Sequence, residues 1–291
     1  MKSFRPVAML LALFVVASMT SCTKEGVYTP KEKIKRVYVS SSSTEKYLSQ
    51  SWNWDGKLLS SIDHYSSNGT GTLSWTEDFT YDGKRLVRVD DFVGSESTFY
   101  EYDGKYLKNA NYYYRGELTA SSTYEYSNGK MSKMTITNYD SKSRGTGHLE
   151  SSYLPFQTEV VKACNKCLTK LQSKNPGKAL EIVNYQFTWD GNNVSKVVAT
   201  ADGEMATVSL YYDSKNNPLK RFHDLYSDVD SDMGPVAFLS KNNVTKMIAN
   251  YDGENDVLEY TYLYNGDDYP VMQIEKYPGD DYQYVVYYDY E

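Results

Sequence analysis

The sequence predicts a mainly β fold, a large curved antiparallel meander of diverged hairpins bent into a half-barrel, with one inserted amphipathic helix at about 157–174. Three observations carry this. A short unit recurs about eight times: an aromatic, any residue, an aromatic, a tight turn of Asp or Asn with Gly, then two aliphatics three positions apart. Upstream of each turn, apolar and polar residues alternate, which is the period of a strand with one dry face. After the fourth unit the pattern stops and a helical spacing replaces it.

The chain opens with Lys2 and Arg5, an apolar run from Val7 to Ala17, and Met19-Thr20-Ser21-Cys22. These are the three parts of an export signal, and the run is shorter than the about 20 residues a spanning helix needs. Residues 1–21 are therefore expected to be a cleaved signal peptide. The small residues before Cys22 resemble the bacterial lipobox, and that resemblance implies that Cys22 is the lipid-bearing first residue of the mature chain. More than one acyl chain on Cys22 would give stable membrane attachment. Residues 22–33 are polar, contain Gly26 and Pro30, show neither period, and are expected to be a tether. A single β-rich domain is expected over 34–291.

Its units align readily. Trp52 and Trp54 precede Asp55-Gly56, with Leu59 and Ile62 behind; Phe79 and Tyr81 precede Asp82-Gly83, with Leu86 and Val89. Tyr100 and Tyr102 precede Asp103-Gly104, with Leu107 and Ala110; Tyr124 and Tyr126 precede Asn128-Gly129, with Met131 and Met134. Phe187 and Trp189 precede Asp190-Gly191, with Val194 and Val197. A sixth unit runs from Leu210 and Tyr212 through Asn216-Asn217 to Leu219 and Phe222, and a seventh from Phe238 through Asn242-Asn243 to Val244 and Met247. Tyr260, Tyr262 and Tyr264 precede Asn265-Gly266 in the eighth, with Val271 and Ile274. Asp-Gly and Asn-Gly tolerate the positive φ that tight hairpin turns demand, so each unit reads as one hairpin. The aliphatics three apart break a period of two, which points to a bulge after the turn.

Sixteen or so strands exceed an ordinary open sheet, and a closed barrel of that size would be too wide for side chains to fill. Something must then cover the dry face. The interruption at about 140–182 offers a cover, because Val160, Val161, Cys164, Leu168 and Leu171 fall at helical spacing before Asn175-Pro176-Gly177.

The formal charge is −7, and it becomes −9 once Lys2 and Arg5 leave with the signal. Lysines are scattered among acidic residues rather than clustered, which argues against a nucleic-acid partner. The 30 tyrosines and 4 tryptophans make the apolar area largely amphipathic rings, suited to sheets and to ligand-facing surfaces.

Chemistry-bearing motifs are sparse. Cys164 and Cys167 form a C-x-x-C without a second cysteine pair or grouped histidines, so a local disulfide or two packed thiols are expected, not zinc. Asp228, Asp230 and Asp232 alternate like the ligands of a calcium loop, but Leu239 stands where the bidentate Glu belongs, and no metal is expected. No nucleophile triad, phosphate loop or catalytic carboxylate pair stands out, so neither catalysis nor a cofactor is expected. The candidate ligand surface is the aromatic face: Trp52, Trp54, Trp75, Phe79, Tyr81, Tyr100, Tyr102, Tyr124, Tyr126, Phe187, Trp189, Tyr260, Tyr262 and Tyr264.

The Cys22 context, the Tyr-x-Tyr-Asp-Gly-Lys units and the interruption ending in Asn175-Pro176 resemble a family of Bacteroidetes lipoproteins of unknown function with a porin-like fold. The single unit is also similar to the tyrosine-aspartate repeats of larger secreted shells. The resemblance covers nearly the whole mature chain and implies a curved antiparallel sheet, outer-membrane attachment and, for some members, lipid binding. It lends no catalytic residues. The leading expectation is a non-catalytic lipoprotein holding a lipid or other apolar ligand on its concave aromatic face. Two alternatives stand beside it: a cell-surface glycan binder stacking sugars on exposed rings, and an assembly subunit that docks a partner along a free Tyr282–Tyr290 strand edge.

Overall fold

The alternating stretches fold as strands wherever a dry row faces a neighbour's dry row. In the computed structural model, which describes residues 24–41, 45–66, 71–91, 96–139, 182–201, 203–222, 238–279 and 283–291, there are sixteen of them. They are β1 Ile34–Ser41, β2 Tyr47–Asp55, β3 Leu58–Tyr65, β4 Leu73–Asp82, β5 Arg85–Asp91, β6 Glu96–Asp103, β7 Tyr106–Tyr114 and β8 Glu117–Ser127. The second half supplies β9 Lys130–Asn138, β10 Ile182–Asp190, β11 Asn193–Ala201, β12 Glu204–Tyr212, β13 Val244–Tyr251, β14 Glu254–Tyr264, β15 Pro270–Lys276 and β16 Gln283–Tyr290.

Every strand pairs antiparallel with its sequence neighbours, and β16 pairs with β1, so the sheet is a closed barrel. The closing seam runs from Ile34 opposite Tyr290 to Ser41 opposite Tyr284. This corrects the half-barrel: an open sheet would leave the backbone of β1 and β16 unpaired along its edge, and closure removes both edges. The argument from width fails because the inward residues are not average aliphatics. Trp52, Phe79, Tyr100, Tyr112, Tyr185, Phe187 and Tyr260 are all buried in one continuous core. Closure also removes the edge reserved for a partner, since β16 is bonded on one side to β1 and on the other to β15. The inserted helix expected at 157–174 lies outside the described residues, and the described residues contain no helix element.

The three-residue aliphatic spacing has its cause in a bulge repeated beside the turns. Asn53 faces Ser61 while Trp54 faces Leu59, so Ser60 is the extra residue, and Leu59 and Ile62 both reach the core. The same shift occurs at Thr80/Tyr81, Glu101/Tyr102, Glu125/Tyr126, Thr188/Trp189, Tyr211/Tyr212 and Leu263/Tyr264. At three bulges a serine fastens the kink: the hydroxyls of Ser60, Ser132 and Ser195 donate to the carbonyls of Asn53, Glu125 and Thr188 at 2.8, 3.1 and 3.3 Å. Between β8 and β9, Asn128 and Gly129 take φ of 52° and 77°, the paired left-handed conformation of a two-residue hairpin.

All these turns lie at one end of the barrel, which we call its mouth. The sixth and seventh units do not form separate hairpins: β12 and β13 are partners, and the connection between them carries Leu219, Phe222 and Phe238 into the core. The segment read as a tether is already fixed from its fourth residue. Glu25 N–H donates to the Lys105 carbonyl at 2.9 Å, Leu86 N–H to the Gly26 carbonyl at 2.8 Å, and Tyr28 is buried with its phenol 2.8 Å from the Pro218 carbonyl.

Candidate functional site

A barrel offers two surfaces, and alternation assigns each residue to one of them. Outward positions carry Asp63, Asp78, Arg88, Glu101, Lys133, Gln186, Lys196, Lys246 and Glu259 among many Ser and Thr. Apolar residues interrupt this polar wall singly, at Leu73, Phe99, Leu118, Ile182, Met205 and Tyr211, all exposed, and in one row running straight across five strands, Leu48, Tyr38, Tyr287, Met272 and Leu263, each opposite the next. Lys46 caps it, its ammonium 4.6 and 5.2 Å from the Tyr38 and Tyr287 ring centres. The lumen is the apolar surface. A bilayer-spanning barrel has the opposite polarity, an apolar belt outside and a polar interior. No helix among the described residues is long and apolar enough to cross a membrane.

None of the fourteen rings singled out from the sequence is exposed; all point into the lumen or across the mouth. The ring nearer each turn bridges to the neighbouring hairpin. Trp54 donates to the Ile34 carbonyl at 2.8 Å, Tyr81 to Leu59 at 2.9 Å, Tyr102 to Leu86 at 2.7 Å, and Trp189 to Met131 at 2.7 Å. Tyr212 reaches Val194 at 2.6 Å, Tyr262 reaches Val244 at 2.7 Å and Tyr290 reaches Pro270 at 2.7 Å. Tyr126 instead gives its proton to the Glu25 carboxylate, which also accepts from Leu107 N–H at 2.8 Å. The result is a belt of rings that ties the hairpin tips together. Burial pushes the phenols of Tyr102, Tyr126, Tyr212, Tyr262 and Tyr290 above the usual tyrosine range, so they stay neutral donors.

Behind the belt the mouth is filled. The Phe222 ring centre lies 5.1 Å from Tyr28, 5.0 Å from Trp52, 6.0 Å from Phe79 and 5.7 Å from Phe238. These rings are core, and that half of the lumen offers no open stacking platform.

The other half is different, and the sequence reading missed it. Six adjacent strands, β15, β16, β1, β2, β3 and β4, present a sector where polar groups interrupt the apolar wall. Gln50, His64, Glu77, Gln273 and Glu275 are all at most 6% exposed. His64 stacks on Trp75, ring centres 3.8 Å apart and planes within 3°, and its Nε2 lies 3.5 Å from the Glu77 carboxylate. Gln50 accepts from the Trp52 indole at 3.0 Å, and Gln273 accepts from the Tyr288 phenol at 3.2 Å. The buried amide nitrogen of Gln273 has no hydrogen-bond partner among the described residues. The signal was present: Glu77 stands between Trp75 and Phe79 on the dry parity, and Gln273 and Glu275 break that parity in β15.

No group of three His, Cys, Asp or Glu among the described residues is arranged to hold a metal. Cys22, the Cys164/Cys167 pair and the Asp228–Asp232 loop lie outside the described residues.

No family model and no curated protein matches the chain. Solved structures match in fold. A porin-like protein from Bacteroides uniformis superposes with a TM-score of 0.52 at 12% identity, over 89% of this chain and 98% of that one. A porin-like protein from Bacteroides vulgatus is matched over 90% of this chain and 99% of that one, with 11% identity and a TM-score of 0.34. The first likeness speaks for the barrel fold, which fits the porin-like fold that the sequence resemblance implies, and a shared fold does not carry a shared function.

Proposed function

We propose that the chain is a non-catalytic binding lipoprotein of the outer membrane, a water-facing barrel tethered through acylated Cys22 that holds an amphipathic lipid in its lumen. The observation that carries this reading is the polarity of the wall. A charged exterior cannot sit among acyl chains, because each Asp or Lys there would be desolvated, so the barrel stands in water rather than forming a pore. An apolar lumen with one polar sector suits a ligand that is mostly hydrocarbon with a hydrogen-bonding end, and a binding site of that kind combines apolar walls with few polar groups. Trp75, His64 and Glu77 on one flank, and Gln273 and Glu275 on the other, are the groups assigned to that end.

The anchor sets the orientation. Lys24 is already at the mouth, and two residues from Cys22 reach only about 7 Å at about 3.5 Å each, so the mouth faces the bilayer and the polar half of the lumen lies away from it. Glycan binding is the weaker reading, because the rings it needs are turned inward.

The test is native mass spectrometry, with organic extraction, of the chain from Thr23, which lacks the acyl anchor, purified without detergent. A lipid at one-to-one stoichiometry is the expected result. An empty protein that also fails to take up a fluorescent fatty acid sinks lipid binding and sends the search to a glycan array. The anchor is tested separately, by labelled palmitate entering the full chain but not Cys22→Ser.

A further inference from the structure

The residues that cover the mouth are fastened to it differently from the way the strands are fastened to one another. Leu86, Leu107 and Val194 hold the same place in three hairpins: each is the buried aliphatic opposite the ring nearest the turn, beside the bulge. Their N–H groups donate to the cover rather than along the sheet. Leu86 donates to the Gly26 carbonyl at 2.8 Å, Leu107 to Glu25 Oε2 at 2.8 Å, and Val194 to the Ser240 hydroxyl at 3.1 Å. Glu25 and Gly26 belong to the N-terminal segment, and Ser240 to the β12–β13 connection. At these three hairpins the bulge turns one donor out of the ladder, and the cover takes it.

The N-terminal segment crosses the mouth. At one end Glu25 N–H donates to the Lys105 carbonyl at 2.9 Å, and the Glu25 carboxylate accepts from Tyr126 as well as from Leu107. At the other end the Lys33 carbonyl accepts from Glu291 N–H at 2.9 Å, and Lys33 Nζ donates to the Gly56 carbonyl at 2.7 Å. Between these ends Tyr28 is the one buried side chain of residues 24–33. Its ring lies against Trp52, Trp54 and Phe222, and its phenol donates to the Pro218 carbonyl at 2.8 Å, so it joins the segment to the β12–β13 connection. None of these bonds is part of a strand pair. Lifting the segment breaks them and exposes one ring, while every strand pairing, the β1–β16 seam included, stays as it is. A segment with few buried contacts, laid on a sheet with many, belongs to the low-stability end of a fold, where local opening precedes global unfolding.

We propose that residues 24–33 are a latch: with the β12–β13 connection they form a cover that opens as one unit while the barrel stays closed, and through that opening a lipid enters and leaves the lumen. The second half rests on the lumen reading above; the first does not. The mouth is also the end that the proposed anchor turns to the bilayer, which is where a lipid would come from.

The experiment uses the chain from Thr23, which keeps every described residue, in buffer without detergent. Hydrogen exchange read by mass spectrometry compares peptides carrying Leu86, Leu107 and Val194 with peptides from the middle of the same strands. The three bulge peptides are expected to exchange at least about tenfold faster than the strand middles. Glu25→Ala removes the acceptor of Leu107 and Tyr126 and leaves every core ring in place, so it should speed all three by about a further tenfold and leave the strand middles unchanged. K246Q on the outer wall should change neither. The response of Val194 is the decisive one, because its partner is Ser240 and only a cover that moves as a unit carries the effect of Glu25 there. Stopped-flow uptake and release of a fluorescent fatty acid give the second readout. A latch sets rates and not affinity, so Glu25→Ala should raise association and dissociation by the same factor, about fivefold, with Kd unchanged. All peptides exchanging at one rate, or a Val194 peptide indifferent to Glu25→Ala, overturns the latch; lipid kinetics indifferent to Glu25→Ala overturn the mouth as the route. A parent chain that takes up no lipid sinks the lumen reading instead, and the exchange pattern alone then decides the latch.

Discussion

Gly26 lies so close beneath the Tyr102 phenol that a Cβ at position 26 would stand 2.1 Å from the hydroxyl oxygen, and its φ is +73°. Both the contact and the backbone exclude any other residue without movement of the ring. Gly26→Ala must therefore push Tyr102 off Leu86 or lift the 24–33 segment from the mouth. We expect a loss of about 2 kcal/mol or more, the cost of a strained left-handed residue plus a displaced hydrogen bond. Limited proteolysis should show the segment cut first, and a variant as protease-resistant as the parent would refute the docking.

The belt of rings can be dissected with single atoms. Tyr102→Phe removes one phenol oxygen and leaves the Leu86 carbonyl without that donor, so a destabilisation of about 1 kcal/mol is expected. Trp54→Phe should cost more, because the smaller ring also opens a void against Tyr28, whose ring centre is 5.8 Å away. Phe222→Ala should be the most damaging, about 3–5 kcal/mol, since that ring packs against four others. Denaturant midpoints at unchanged m-value decide the order.

What the sequence disclosed and what it hid follow from the range of the interactions. Turn chemistry and alternation are local, so Asp55-Gly56 and Asn128-Gly129 located their hairpins, and the Leu59/Ile62 spacing located a bulge. Closure is not local. It depends on β1 meeting β16, strands separated by the whole domain, and on the mouth half of the lumen being filled by rings whose size the width argument undervalued. Leu219 and Phe222 deceived for a related reason. Their spacing copies that of Leu59 and Ile62, but they sit on a connection that folds over the mouth, where burial and not strand pairing selects the same residue types. Tyr38 and Tyr287 escaped notice because an alternation argument looks for one dry face, and β16 is aromatic on both.

The phenols predict an alkaline transition. Tyr28, Tyr124, Tyr262 and Tyr288 are buried, and desolvation raises each above its ordinary value. In the unfolded chain they ionise near pH 10, whereas the folded chain keeps its protons, so the unfolded state binds fewer protons there and stability falls as pH rises. The stabilisation is intact below about pH 10 and is lost above it, by up to about 1.4 kcal/mol per pH unit for each such phenol. Tyrosinate absorbance should therefore rise in two stages, a gradual one from exposed phenols and a steep one coincident with loss of near-ultraviolet dichroism. A smooth titration with folded structure retained would contradict the burial of these four phenols.

The polar sector of the lumen separates a binding role from a structural one through Glu77. Glu77→Gln keeps the shape of a side chain that is 1% exposed and replaces the carboxyl oxygen 3.5 Å from His64 Nε2 by a neutral amide. Replacing a buried ionisable group by a neutral isostere is often neutral or stabilising for a fold, so the Tm of this variant should stay within a few degrees of the parent's or rise. If the carboxylate instead meets the polar end of a bound lipid, the variant should lose that partner, and lipid occupancy in native mass spectra should fall about tenfold, equivalent to about 1.4 kcal/mol of binding. A stable Glu77→Gln protein with unchanged lipid content would move the ligand's polar end to the Gln273 and Glu275 flank. In that case Glu275→Gln should show the loss in its place, because it is the other buried carboxylate of the sector and stands on β15, across β16, β1, β2 and β3 from Glu77.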